Sequence, residues 1–300
     1  MELEILQNTY NKNFFNALNK VEQKIPPIWF MRQAGRYHQH YRKLKEKYSF
    51  EQLCKEPELA CEVTLGPIVE FDFDAAILFS DILFPLDYLG MSLKFNPGPI
   101  FEKNLSSKMI SEFNIDEFES FIDFQNISLK HIRNELSNDK SLIGFTGGPV
   151  TLYHFATRNN PVSQTLFQQT LPVLEMLIQK NIQIQLRNDI DLLMIFDTEA
   201  NKLNDKDFDE FVIPFLVKIS NIYPNKIGYF TKEISQTKFN KLQNLKNLNL
   251  TVLGTNLEVF TELPKTHLSL QGNFSNDLLA MEDTKSFSDY IDKYLSLIHI

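Results

Sequence analysis

Asp74-Ala-Ala-Ile-Leu-Phe-Ser-Asp81 is the stretch that decides the fold. Five apolar residues are bounded by acids, too short for a helix and too apolar for a half-exposed strand, so they read as a strand buried on both faces. Strands of that kind belong to parallel sheets covered by helices. The same pattern recurs along the chain at Pro27–Met31, Ser141–Thr146, Asp191–Phe196, Lys226–Thr231, Leu250–Gly254 and His267–Gln271. Between them lie amphipathic stretches such as Ser163–Arg187, with Leu166, Leu171, Leu174, Met176, Leu177, Ile178 and Ile182 at helical spacing. Residues 103–140 are rich in charge and Asn and predict helices and a surface excursion. Thr284–Ile300 predicts a helix running into Leu295–Ile300, which reads as a candidate eighth strand.

Seven repeated β-α units, with no linker and no break in composition, favour one closed (β/α)8 barrel of the TIM type over an open doubly wound sheet. A single domain over residues 1–300 is expected. The 300 residues are 43% apolar, enough for a large core. No apolar run approaches the roughly 20 residues of a membrane span. The first residues, with Glu2 and Glu4, do not resemble a secretory signal, so a cytoplasmic protein away from membranes is expected.

The net charge of -8 argues against a nucleic-acid partner. Cys54 and Cys61 are the chain's 2 cysteines, which excludes a disulfide scaffold and a thiol zinc site. Glycine is scarce, 10 in 300, and neither GxGxxG nor GxxxxGK[ST] occurs, so nucleotide cofactors are disfavoured. His38, His40, His131, His154, His267 and His299 show no ligand spacing beyond the weak His38/His40 pair. No metal is expected.

Barrels of this kind work at the carboxyl ends of their strands. The first predicted strand ends in Arg32-Gln-Ala-Gly-Arg-Tyr37, two guanidiniums beside a small Ala34-Gly35 pair, a pattern suited to gripping carboxylates. From Arg32 to Lys47 there are six basic residues against Glu46. Lys43 and Lys47 read as a solvated helix face; Arg32 and Arg36 read as ligand groups. The decisive stretch delivers Asp81 to the barrel mouth, where a carboxylate can accept several N–H groups or stabilise a developing cation. Thr146-Gly-Gly-Pro149 and Asp197-Thr-Glu199 end the next two strands, and Asp197 or Thr198 reads equally as a helix N-cap. No Ser-His-Asp or Cys-His order stands out. Arginines around one aspartate suit a polyanionic substrate with central N–H groups better than a hydrolysis.

Met31-Arg-Gln-Ala-Gly-Arg-Tyr37 with Tyr41-Arg42 resembles the opening signature of the uroporphyrinogen decarboxylase family. Leu53–Leu65, Asp74–Leu83, Gly144–Leu152, Phe196-Asp-Thr198, Phe230-Thr-Lys232 and Leu270-Gln-Gly-Asn273 are similar to later blocks in the same order, so the resemblance spans roughly residues 26 to 273. It implies a barrel, usually homodimeric, that removes carbon dioxide from the four acetate arms of uroporphyrinogen without a cofactor, a carboxy-lyase of porphyrin synthesis. It further implies that Arg32 and Arg36 hold substrate carboxylates, that Gln33, Ala34 and Gly35 line the same loop, and that Asp81 binds the pyrrole N–H groups. Phe50 would be a substrate-side aromatic and Thr198 a hydroxyl contact.

The chain departs from the family pattern in three places. Phe155 stands where a substrate-contacting tyrosine is usual, with Tyr153 nearby as a substitute hydroxyl; Lys232 is followed by Glu233-Ile234 rather than a glycine run; and no Gly-His-Gly follows Asn273. An incomplete or altered last β/α unit is therefore expected. A non-catalytic tetrapyrrole-binding homologue and a corrinoid- or zinc-dependent barrel methyltransferase are the alternatives.

Overall fold

The computed structural model describes residues 12–157, 164–252, 266–272 and 283–298. Six parallel strands form one sheet in the order β1 (Ala75–Ile77), β4 (Ser141–Gly147), β5 (Leu192–Phe196), β6 (Ile227–Phe230), β7 (Leu250–Val252) and β8 (Ser269–Gln271). A small antiparallel hairpin, β2 (Leu93–Phe95) with β3 (Pro99–Phe101), lies between the first two of these in sequence. The helices are α1 (Asn13–Leu18), α2 (Gln39–Lys45), α3 (Phe50–Lys55), α4 (Pro57–Phe71), α5 (Ser107–Glu112), α6 (Ile115–Glu135), α7 (Pro149–Thr157) and α8 (Gln164–Gln185). They continue with α9 (Asp205–Phe211), α10 (Ile213–Ile222), α11 (Gln236–Leu242) and α12 (Thr284–Ile298).

The helix starts are written locally. Ser49 and Gln52 form a reciprocal capping box on α3, Pro57 opens α4, and Asn114, Asn204 and Ser235 each accept a backbone N–H in the first turn of α6, α9 and α11.

Two strands expected from sequence are not formed. Pro27–Met31 runs beside β1 without a ladder. It is tied there by Asp74, whose N–H donates to the Ile28 carbonyl at 2.9 Å and whose carboxylate accepts the Ile28 N–H at 2.7 Å. Pro26 and Pro27 bring no N–H to a ladder, and a side chain takes the donor that follows them. Leu295–Ile298, the described part of the candidate eighth strand, is helical, because α12 continues to Ile298. Phe287, Ile291, Leu295 and Ile298 keep helical spacing through the apolar run. Gly254, Asn273 and His299 lie outside the described residues.

The strand registers put Ile77, Ile143, Leu192, Met194, Leu250 and Val252 on one face, toward the lumen. Gly228 is a glycine because Met194 fills that lumen: a methyl there would overlap the Met194 sulfur. Gly144 points the opposite way, where a Cβ would stand 2.5 Å from Gln185 Oε1 on α8.

At the amino ends of the strands the lumen is stoppered by α1. Phe14 and Leu18 are buried there, with Phe14 edge-on to Trp29 at 6.0 Å. Lys12 makes a buried ion pair with Asp191 at 3.1 Å, Asn13 donates to Asp74 at 2.9 Å, and Ser269 on β8 donates to the Leu18 carbonyl at 3.3 Å. One short helix thus clasps β1, β5 and β8.

Candidate active site

The opposite, carboxyl ends of the strands carry the polar groups. β1 leaves the sheet at Leu78, whose N–H still reaches the Ile143 carbonyl at 3.0 Å. The next N–H, of Phe79, is taken instead by the Thr64 hydroxyl of α4 at 2.9 Å. The chain turns there and carries Asp81 to the mouth, where its Oδ1 accepts the Leu83 N–H at 2.8 Å. Asp81 is half-buried, and the partial desolvation of its carboxyl raises its pKa to about 6, opposed by the Leu83 bond and by the positive charge of Arg32. Cys54, behind it on α3, is pushed well up by burial and by Asp81.

The arginine loop is built around Gln33. Its amide, 1% exposed, donates to the Ala75 carbonyl at 3.0 Å and accepts the Phe30 N–H at 3.2 Å. The Gln33 side chain is thereby consumed in anchoring the loop to β1, so the residue lines the loop through its backbone. Ala34 packs on the Tyr41, Leu44, Leu53 and Val63 cluster, and Gly35 is half-buried. Arg42 donates to the carbonyls of Arg36 and Tyr37 at 2.9 and 2.7 Å, and the Tyr37 hydroxyl donates to the Gln33 carbonyl. Arg32 and Arg36 are left exposed, as are Lys43 and Lys47.

Phe79 joins these groups. Its ring lies 5.6 Å from Tyr41 and 5.7 Å from half-buried Phe50, which in turn meets Phe95 of the hairpin at 4.6 Å. Arg36 acts on the Tyr41 hydroxyl, whose pKa burial raises and Arg36 lowers. Arg32, Arg36, Phe50 and Asp81 are therefore gathered on one side of the mouth.

The far side is formed by the ends of β4, β5 and β6. Phe145, Phe196 and Phe230 share the lumen face, with successive ring centroids 5.5 and 5.9 Å apart. Half-exposed Thr198 follows at the start of a 3₁₀ turn. Asp197 does not cap that turn. Its fully buried Oδ1 accepts the Thr151 N–H of α7 at 2.7 Å, its Oδ2 accepts the Tyr229 hydroxyl at 3.4 Å, and burial raises its pKa to about 6. Thr151 completes the link by accepting the Glu199 N–H at 3.0 Å. This Asp197–Thr151–Tyr229 junction was not anticipated from sequence, where Thr146-Gly-Gly-Pro149 was the one hint: a methyl on Gly148 would overlap the Asp197 carboxyl.

Phe155 is half-buried on α7. Tyr153, two residues earlier on the same helix, stands about 200° around its axis and does not share that face. The His38/His40 pair lies elsewhere, in a groove of about 600 Å³ beside α4 and α6, where His38 meets Glu70 at 2.6 Å and His40 meets Glu62 at 3.1 Å. Among the described residues no three His, Cys, Asp or Glu side chains converge as a metal site.

A curled parallel α/β sheet plugged at one end, with arginines, a half-buried aspartate and aromatic rings at the other, is a TIM-type barrel. The fold is shared with a methyltransferase from Methanosarcina mazei, at a TM-score of 0.62 and 15% identity over 80% of this chain and 75% of that one. The sequence profile described as Uroporphyrinogen decarboxylase (URO-D) matches residues 9–298, and the chain belongs to that family. The Thermodesulfovibrio yellowstonii uroporphyrinogen decarboxylase is 31% identical over 91% of this chain and 85% of its own length. Its Geotalea daltonii counterpart is 34% identical over 70% of this chain, and the match spans 66% of that relative. Among the described residues no helix is long and apolar enough to cross a membrane.

Proposed function

We propose that this chain is a uroporphyrinogen decarboxylase, working without a cofactor as a single barrel domain over residues 1–300. It would convert the four acetate arms of uroporphyrinogen III to the methyl groups of coproporphyrinogen III in porphyrin synthesis. The observation that carries the reading is Asp81: a carboxylate delivered to the barrel mouth, desolvated, and facing the charge of Arg32. It stands beside the family membership and the relatives' shared name.

The reaction needs an electron sink, and the pyrrole supplies it. Protonation of the ring gives a cation; the bond between the acetate methylene and its carboxylate breaks, carbon dioxide leaves, and the bonding pair flows into the ring. A proton then adds to the exocyclic carbon and the ring proton departs, so each arm consumes one proton overall. Asp81 in its ionised form accepts the pyrrole N–H groups and stabilises the cation as it develops, where a fixed charge of low solvation is most effective. Arg32 and Arg36 hold substrate carboxylates, with the backbone of Gln33, Ala34 and Gly35 beneath them. Phe50 covers the macrocycle edge and the Thr198 hydroxyl contacts it from the far rim.

The test is turnover by the purified protein. Coproporphyrinogen should accumulate from uroporphyrinogen, and Asp81→Asn should lower kcat by about 10²–10³-fold, with Arg32→Ala acting mainly on KM. Equal rates for the wild type and the Asp81 variant would sink the proposal. As a cytoplasmic homodimer it should sediment at twice the 35.0 kDa chain mass.

A further inference from the structure

The departure of β1 leaves a gap in the sheet. The odd-numbered residues of β4 turn their backbone groups toward β1, as Ile143 does to Leu78, so beyond that point Phe145 has no strand to meet. The side chain of Gln185, at the end of α8, fills the place of the missing strand: its Oε1 accepts the Phe145 N–H at 2.9 Å and its Nε2 donates to the Phe145 carbonyl at 2.7 Å. The second proton of the same Nε2 goes to Asn181 Oδ1 at 2.8 Å, and Gln125 Oε1, 3.3 Å away, shares one of the two as a weaker bifurcated acceptor. Gln125, 2% exposed on α6, then donates from Nε2 to the Ser80 hydroxyl at 2.8 Å. A neutral amide relay thus runs from the edge of β4 to the residue next to Asp81.

We infer that Gln125 is a positioning residue for the decarboxylation: held by Gln185, it fixes the Ser80–Asp81 turn at the distance from the lumen at which Asp81 meets the substrate. This rests on the reading of Asp81 proposed above. Thr64 pulls Phe79 toward α4, and Gln125 holds Ser80 from α6, so the turn is gripped from both sides. A buried amide is suited to the task, since it fixes a direction without placing a second charge beside the carboxylate. The charged or titratable neighbours acting on Asp81 are Arg32 from the amino-terminal loop and the Cys54 thiol of α3.

Two single variants cut the same bond from opposite ends, Gln125→Leu and Ser80→Ala, and the double variant closes the cycle. Each single change should lower kcat about tenfold with KM nearly unchanged, and the double should be no worse than the worse single, since one bond cannot be lost twice. In the variants the Asp81 carboxyl should titrate lower than in the wild type, as a released turn admits water; carbon-13 NMR of labelled aspartate reads this without turnover. If the wild type fails to decarboxylate but the NMR shift appears, the functional reading falls and the positioning stands. Wild-type kcat together with an unmoved Asp81 titration would overturn the inference, as would a lowered melting temperature with additive losses in the double variant.

Discussion

Asp81 and Asp197 are both held near a pKa of about 6 by burial, yet they answer to pH in different ways. Asp81 must be ionised to meet the pyrrole cation, so kcat/KM, which reports the free protein, should rise with pH through about 6 and the acid limb should vanish in Asp81→Asn, a pH–rate profile being the measurement. Asp197 touches no substrate in this scheme and acts on stability. Its folded pKa lies above the ordinary carboxyl value of 3.8, so the folded state binds the proton more tightly than the unfolded chain. The stability this contributes is complete below about pH 4 and is lost as pH rises through about 6, a change of about 3 kcal/mol. Asp81, raised alike, adds a slope of the same sign, so urea melts between pH 4 and 8 should show the sum, and Asp197→Asn should remove the Asp197 part and leave that of Asp81. Arg32 and Asp81 were legible because Arg32 directly follows an apolar run and Asp81 follows another with one residue between. The task of Asp197 was not, because the amide it caps belongs to Thr151, 46 positions earlier, on another element.

At the scale of elements, the β4–α7 corner shows how closely the strand ends are packed. Gly148 donates to the Phe196 carbonyl at 2.8 Å, and its missing Cβ is the space the Asp197 side chain occupies. Gly148→Ala should cost about 1–3 kcal/mol by overpacking, whereas Gly98→Ala, with nothing within 4 Å of the added methyl, should be close to neutral; denaturant midpoints of the two compare them directly. The buried strands were readable because parallel pairing keeps both faces apolar, which leaves a run that periodicity alone can find. The β2–β3 hairpin was not, since three residues per strand carry too little alternation to register. Pro27–Met31 has the composition of a strand, but the Asp74 carboxylate takes the Ile28 N–H and the Gln33 side chain takes the Phe30 N–H, partners that no local pattern reveals.

Across the whole molecule, a parallel barrel brings together residues remote in sequence, and its closure rests on contacts that no local pattern reveals. The ion pair of Lys12 with Asp191 spans 179 positions. Asp191 also accepts the Leu142 N–H at 2.9 Å, so it is bound to the floor of the sheet whether or not Lys12 is present. Lys12→Met would strand that charge without a cation and should cost about 3–5 kcal/mol; converting Asp191 to Asn in the same chain should recover part of the loss, which calorimetry of the two variants would show. Because α1 corks the amino ends of the strands and Met194 fills the lumen above it, a guest entering at the carboxyl ends would rest on the tier of Phe145, Phe196 and Phe230 rather than descend into the barrel.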